Sequence, residues 1–292
     1  MKSGKLISGI GRDFSPRYPA HRRIMVLSAA AGAVGLLVAW AGRGMAPLAG
    51  LALALTAGGS CFVAWVLSRE LDPDHPGSAF VGAVLVVPVV LAGSGSGLLL
   101  AAWQVLVLRI ANRTTGVPAR PWDSLLVVGL ALWLNGAVHP VVGLLTAAAM
   151  IADGALEDGH GAHLIIGGTV GFFSLIWLLW LGPAALHPPP AGVLFGGLLV
   201  VACFVGWALS QGPAQARPDY RTGRLSPGRV RAGQLLAGLI VLGLLVALGA
   251  AGVWQSLPLW ASLVGVWLAA VGRWGRRLVR QHNHEEAKVT KE

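Results

Sequence analysis

Apolar and polar residues do not alternate along this chain; they fall in long blocks. Almost wholly apolar runs extend from about 24 to 41, 48 to 67, 79 to 92, 98 to 111, 125 to 152, 164 to 181, 191 to 209, 235 to 253 and 257 to 271. They lack both the twofold period of a half-buried strand and the single stripe of an amphipathic helix. A helix that crosses a bilayer needs roughly 20 apolar residues, because in hydrocarbon its backbone has to satisfy its own hydrogen bonds. The pattern therefore predicts an all-α, polytopic integral membrane bundle.

The fifth block decides the topology. It is too long for one ordinary span, and Asn135, Gly136, His139 and Pro140 lie near its middle, where proline disfavours a continuous helix. Short loops keep Lys and Arg on the cytoplasmic side. Read as one helix, the block sends Arg217, Arg221, Arg224, Arg229, Arg231 and the basic tail outside; read as a hairpin, it leaves only Arg43 of the 22 Lys and Arg there. A hairpin folded at 135–139 is therefore expected. The same logic places a turn at Gly93-Ser94-Gly95-Ser96-Gly97 between two short arms. Arms of about 14 residues cover only about 21 Å, less than a hydrocarbon core of roughly 30 Å, so these hairpins either thin the bilayer or re-enter it. The endings Ile110-Ala111-Asn112 and Ile151-Ala152-Asp153 make the two hairpins weakly alike, as internal repeats of transporters are.

The expected arrangement is about ten transmembrane segments with cytoplasmic N and C termini. Residues 1–23 form a basic cytoplasmic segment, 24–271 the transmembrane domain and 272–292 a basic tail. The first apolar run, preceded by Lys2, Lys5, Arg12, Arg17, Arg22 and Arg23, is read as a retained helix rather than a cleaved signal. A bacterial or archaeal cytoplasmic membrane is the expected location.

Composition agrees with this reading. Hydrophobic residues make up 55% of the 292 and charged ones 12%, about half the share of a soluble domain. The net charge of +10 would suggest nucleic acid in a soluble protein, but the basic residues lie between apolar blocks, where they meet anionic lipid. Membrane lipids, not nucleic acid, are the expected partners. Cys61 and Cys203 stand alone in apolar runs and are assigned to packing. The 12 tryptophans, mostly at block ends, suit an interfacial belt.

Candidate chemistry lies on one face. Glu70, Asp72, Asp74, Asp123, Asp153, Glu157 and Asp158 account for most of the 12 acidic residues, and all fall in the loops 69–78, 109–123 and 153–163. His75, His160 and His163 accompany them, with Arg69, Arg109 and Arg113 alongside. Carboxylates with imidazole suit Mg, Mn or Zn, which activate water or clamp a phosphate. Wet polar loops that merely end helices are the plain alternative. At membrane depth the polar candidates are chiefly Gln104, Asn135 and His139; such scarcity counts against an ion-coupled transporter, and His139 beside Pro140 is best read as capping a broken helix. His282 and His284 in the tail are potential chelators.

Asp72-Pro73-Asp74-His75-Pro76-Gly77-Ser78 resembles the D-x-D-H-P-x-S segment of the LexA-regulated, YdjM-like inner-membrane metal-dependent hydrolases. Asn112-Arg113-Thr114-Thr115-Gly116 and Ile151-Ala152-Asp153 follow in the family's order, though without the histidines of its H-R-G-x-T-H-S segment. The resemblance implies catalytic and metal-ligating roles for Asp72, Asp74, His75 and Asp153. Arg69, Arg109 and Arg113 are candidates for a substrate phosphate or lipid headgroup. Three functions are thus expected to compete: a metal-dependent hydrolase or phosphotransfer enzyme acting on a lipid or amphipathic substrate at the cytoplasmic face, a transporter or channel for a small neutral or lipidic solute, and a non-catalytic scaffold.

Overall fold

The computed structural model describes residues 8–12, 14–93, 97–182, 185–220 and 222–289, without the side chains of residue 278 and residues 282–289. The expected turn at 94–96, Lys2, Lys5, Arg221 and the His282 and His284 side chains lie outside that description. The helices are α1 (Pro19–Leu37), continued by a π-helical turn (Val38–Gly42), α2 (Pro47–Leu71), α3 (Ser78–Ala92), α4 (Leu98–Asn112), α5 (Pro121–Ala137), α6 (Val141–Ala155), α7 (Gly161–Leu181), α8 (Ala191–Ser210), α9 (Pro227–Leu248), the short α10 (Ala250–Gln255) and α11 (Leu257–Val289). No strand occurs among the described residues. Among the described residues six helical stretches, Pro19–Gly42, Pro47–Leu71, Gly161–Leu181, Ala191–Ser210, Pro227–Leu248 and Leu257–Gln281, are long and apolar enough to cross a membrane, by length and composition. Helices α3, α4 and α6 are apolar but shorter.

Local chemistry sets the boundaries. Proline stands at the start of α1, α2, α5 and α9, where its missing N–H leaves no bond unmade and its φ is already helical. The fifth apolar block is broken, as expected, at Val138-His139-Pro140. The Nδ1 of His139 accepts the N–H of Val141 at 3.1 Å, so its Nε2 carries the proton that faces the Ala185 carbonyl at 3.2 Å. His139 therefore caps the start of α6. Asn135 fixes the same bend: its Oδ1 accepts the Gly143 N–H at 2.6 Å and its Nδ2 donates to Ser174 Oγ on α7 at 2.9 Å.

The core is built on α4 and α9, with α2, α6, α8 and α11 around them; Trp103, Leu108, Ile110, Phe204, Ile240 and Leu244 are fully buried there. A second cluster joins α1, α2 and α3 with the start of α11. On α7 and α8, Ile165, Phe172, Trp180 and Phe195 face outward, as lipid-facing residues do.

One expectation needs correction. Helices α3 and α4 are not a packed hairpin: α3 lies against α2 and α11, whereas α4 lies against α2, α6 and α9. The two arms share α2 as a neighbour but otherwise pack on different helices, α3 on α11 and α4 on α6 and α9. Helices α5 and α6 do pack together, and the two hairpins are therefore not copies of one arrangement.

Small residues permit the closest approach. A Cβ on Gly265 would stand 2.4 Å from the backbone N of Gly82, so α3 and α11 meet backbone to backbone, the contact that small residues give membrane helices. Gly265→Val is expected to destabilise the protein by about 1–3 kcal/mol through overpacking, seen as a lower midpoint of thermal unfolding in mild detergent.

Candidate functional site

The acidic and basic loops gather at one end of the bundle. Two buried carboxylates organise it. Glu70, 1% exposed at the end of α2, takes the Nε of Arg109 on α4 at 2.9 Å and Nδ2 of Asn112 at 3.2 Å. Arg12 Nη1 stands 3.3 Å away, and Thr114 Oγ1 also donates to this carboxylate. Asp153, fully buried near the end of α6, receives a bidentate pair from Arg113 Nε and Nη2 at 2.7 and 2.8 Å. Arg229 Nη1 from α9 adds a bond at 2.8 Å, and His163 Nδ1 from α7 one at 2.7 Å.

Arg113 reaches Asp153 from a left-handed backbone, φ 46°, which costs a non-glycine residue roughly 1–2 kcal/mol. Its Nη1 donates to the carbonyl of Asp158, itself left-handed at φ 60°. The ion pair and this bond hold the two turns against each other.

Further charges fasten two chain segments over this end. Arg12 is paired to Asp219 at 2.6 Å; burial works against its charge, but the Glu70 and Asp219 carboxylates outweigh that and raise its pKa. Asp123 receives Ser8 Oγ at 2.5 Å and the Gly9 N–H at 2.7 Å, and also the Arg120 N–H at 2.8 Å at the start of α5. Residues 8–12 are thus folded into the structure, with Ile10 buried. Asp74 accepts the backbone N–H groups of Gln215 and Ala216, and Tyr220 N–H bonds the Thr115 carbonyl. The loop between α8 and α9 therefore lies across the polar end.

The expected metal ligands do not form one set. Asp72 is engaged by His75 Nδ1 at 2.9 Å and Arg273 Nη2 at 3.2 Å, Asp74 by loop amides, and Asp153 by two arginines and His163. Among the described residues no three His, Cys, Asp or Glu side chains are grouped to hold a metal ion. Guanidinium, imidazole and backbone amide donors engage the oxygens of Asp72, Asp74 and Asp153. Of the three candidate phosphate ligands, Arg109 and Arg113 belong to the Glu70 and Asp153 clusters. Arg69 lies 5.3 Å over the Trp65 ring and makes no ion pair among the described residues.

Arg69 and Arg109, with Arg12, line a cavity of about 700 Å³ whose other walls include Asp219 and the rings of Phe14, Tyr18, His21, Phe62, Trp65 and Tyr220. Sequence reasoning did not foresee the roles of Glu70, Arg12 and Arg229, or the contact of Ser124 Oγ with His163 Nε2 at 2.8 Å. Lone Arg and Glu residues in loops carry no signal of their partners; the only cue was the crowding of acids and arginines at these helix ends. No protein-family model, curated protein or solved structure matches the chain.

The Glu70 cluster yields a direct expectation. Glu70→Gln leaves Arg109 and Arg12 facing a neutral amide in a buried site, and breaking such a pair costs about 3–5 kcal/mol. Denaturant unfolding in mild detergent measures the loss.

Proposed function

We propose that this chain is a polytopic protein of a bacterial or archaeal cytoplasmic membrane, with about ten membrane segments and both termini cytoplasmic, that binds an anionic amphiphile at its cytoplasmic end. The amphiphile is a lipid whose headgroup carries a phosphate or comparable anion. The observation that carries this reading is the cavity of about 700 Å³ lined by Arg12, Arg69, Arg109, Asp219 and six aromatic side chains. Among the described residues its three guanidinium groups face two carboxylates, Glu70 and Asp219, which leaves a positive balance centred on Arg69. A guanidinium suits a phosphate headgroup, and the aromatic walls suit the apolar portion next to it.

A metal-dependent hydrolase draws less support, because each implied carboxylate ligand is engaged by arginine, histidine or backbone amide. The likeness at 72–78 remains a resemblance of those seven residues. Transport draws no support from the buried polar groups: Asn135 and His139 serve the bend between α5 and α6, and Gln104 is enclosed in the core.

Two measurements test the proposal. Native mass spectrometry of the purified protein is expected to retain phosphatidylglycerol in preference to phosphatidylcholine, and Arg69→Glu to weaken that preference on the order of tenfold; equal retention of both lipids overturns the reading. For sidedness, a cysteine introduced at Ser226, in the loop before α9, stays unlabelled by an impermeant maleimide in intact cells and reacts after permeabilisation. Labelling in intact cells would invert the topology.

A further inference from the structure

Asp153 does more than accept arginines. Its Oδ2 lies 2.7 Å from His163 Nδ1, and a carboxylate at that nitrogen keeps the proton there, leaving the Nε2 lone pair as an acceptor. Ser124 Oγ is 2.8 Å from Nε2, whereas its other acceptor, the Arg120 carbonyl, is 3.4 Å away. Ser124 therefore donates to His163. Serine, imidazole and carboxylate in this order, each within hydrogen-bond reach of the next, make up the arrangement that activates a serine hydroxyl for nucleophilic attack. Asp153, kept by Arg113 and Arg229 in place, acts as a positioning residue behind His163.

The relay also has an outlet. Ser124 and His163 line a groove of about 490 Å³ between α5 and α7, whose other walls include Leu125, Val128, Ile165 and Val170. Ser124 is the fourth residue of α5 and His163 the third of α7, so the positive ends of two helices meet at this point, an environment that favours a developing oxyanion. The groove is almost wholly apolar and fits a hydrocarbon chain.

We propose that Ser124, His163 and Asp153 form a hydrolytic site for a long-chain acyl ester whose chain lies in the groove between α5 and α7. As Ser124 Oγ bonds to the ester carbonyl carbon, its proton passes to His163 Nε2 and the carbonyl π pair moves to oxygen. Collapse of that intermediate breaks the bond to the alcohol, which takes the proton from Nε2 and leaves an acyl group on Ser124. Water then attacks the acyl carbon while its proton goes to His163. The bond to Oγ breaks, Oγ recovers the proton, and the carboxylic acid departs. The sum is ester plus water giving acid plus alcohol, with no other reactant.

The site is separate from the arginine-lined cavity, and its test does not depend on headgroup binding. Folded protein in detergent is treated with a long-chain alkyl fluorophosphonate and with a short-chain analogue, and the adduct is mapped by peptide mass spectrometry. The expected result is an adduct on Ser124 that forms faster with the long chain, is absent after heat unfolding and is lost in Ser124→Ala. His163→Gln is expected to slow labelling by about 100-fold or more and to flatten its rise with pH; Asp153→Asn, confirmed as folded by gel filtration, flattens the same profile. Absence of an adduct on Ser124 in the folded, unmodified chain, or an adduct that forms equally after unfolding, overturns the proposal without reference to any variant.

Discussion

Two carboxylates buried at the ends of apolar helices impose the condition that the rest of this structure meets. An ionised carboxyl group removed from water is strongly unfavourable unless cations and hydrogen-bond donors surround it. Glu70 obtains them from the segment before α1, from α4 and from the turn after α4. Asp153 obtains them from that same turn, from α7 and from α9. The consecutive residues Asn112 and Arg113 serve the two clusters in turn. A single tight turn therefore ties α2, α4, α6, α7 and α9 together at one end, where apolar side chains alone would allow the helices to slide.

This arrangement explains why the polar end is covered. Residues 8–12 and the α8–α9 loop supply Arg12, Asp219 and the amides that hold Asp74 and Asp123. With most charges matched in place, the remaining chemistry concentrates where matching is incomplete. Arg69 lines an aromatic cavity and makes no ion pair among the described residues, and the Ser124 hydroxyl faces a histidine that Asp153 already orients.

Much of the fold was legible in the sequence. Block lengths gave the helices, Pro140 the break between α5 and α6, and His139 its capping role. The gathering of the loops at 69–78, 109–123 and 153–163 followed from charge placement, and the contacts Asn112 to Glu70 and Arg113 to Asp153 bear it out. The pairing of α3 and α4 was not legible, because apolar faces without period do not specify which neighbour they choose. Nor were the partners: Ser124 and His163 are 39 residues apart and Arg229 is 76 from Asp153, and nothing in local sequence marks a serine in a helix's first turn as facing a histidine. Reading Asp72 and Asp74 as the principal acids followed the local D-x-D-H pattern, whereas Glu70 and Asp153 are the most deeply buried carboxylates among the described residues and each is paired with two arginines.

The central claim, that the buried ion pairs hold the helices in register, is tested most directly by a double-mutant cycle between Asp153→Asn and Arg229→Gln. Unfolding free energies of the four proteins in mild detergent give the coupling between the two residues. The ionic account predicts a favourable interaction of about 1–3 kcal/mol, the double variant losing less than the sum of the single ones. Strict additivity would show that Arg229 and Asp153 contribute independently, and that packing alone, not the ion pair, sets the position of α9 against α6.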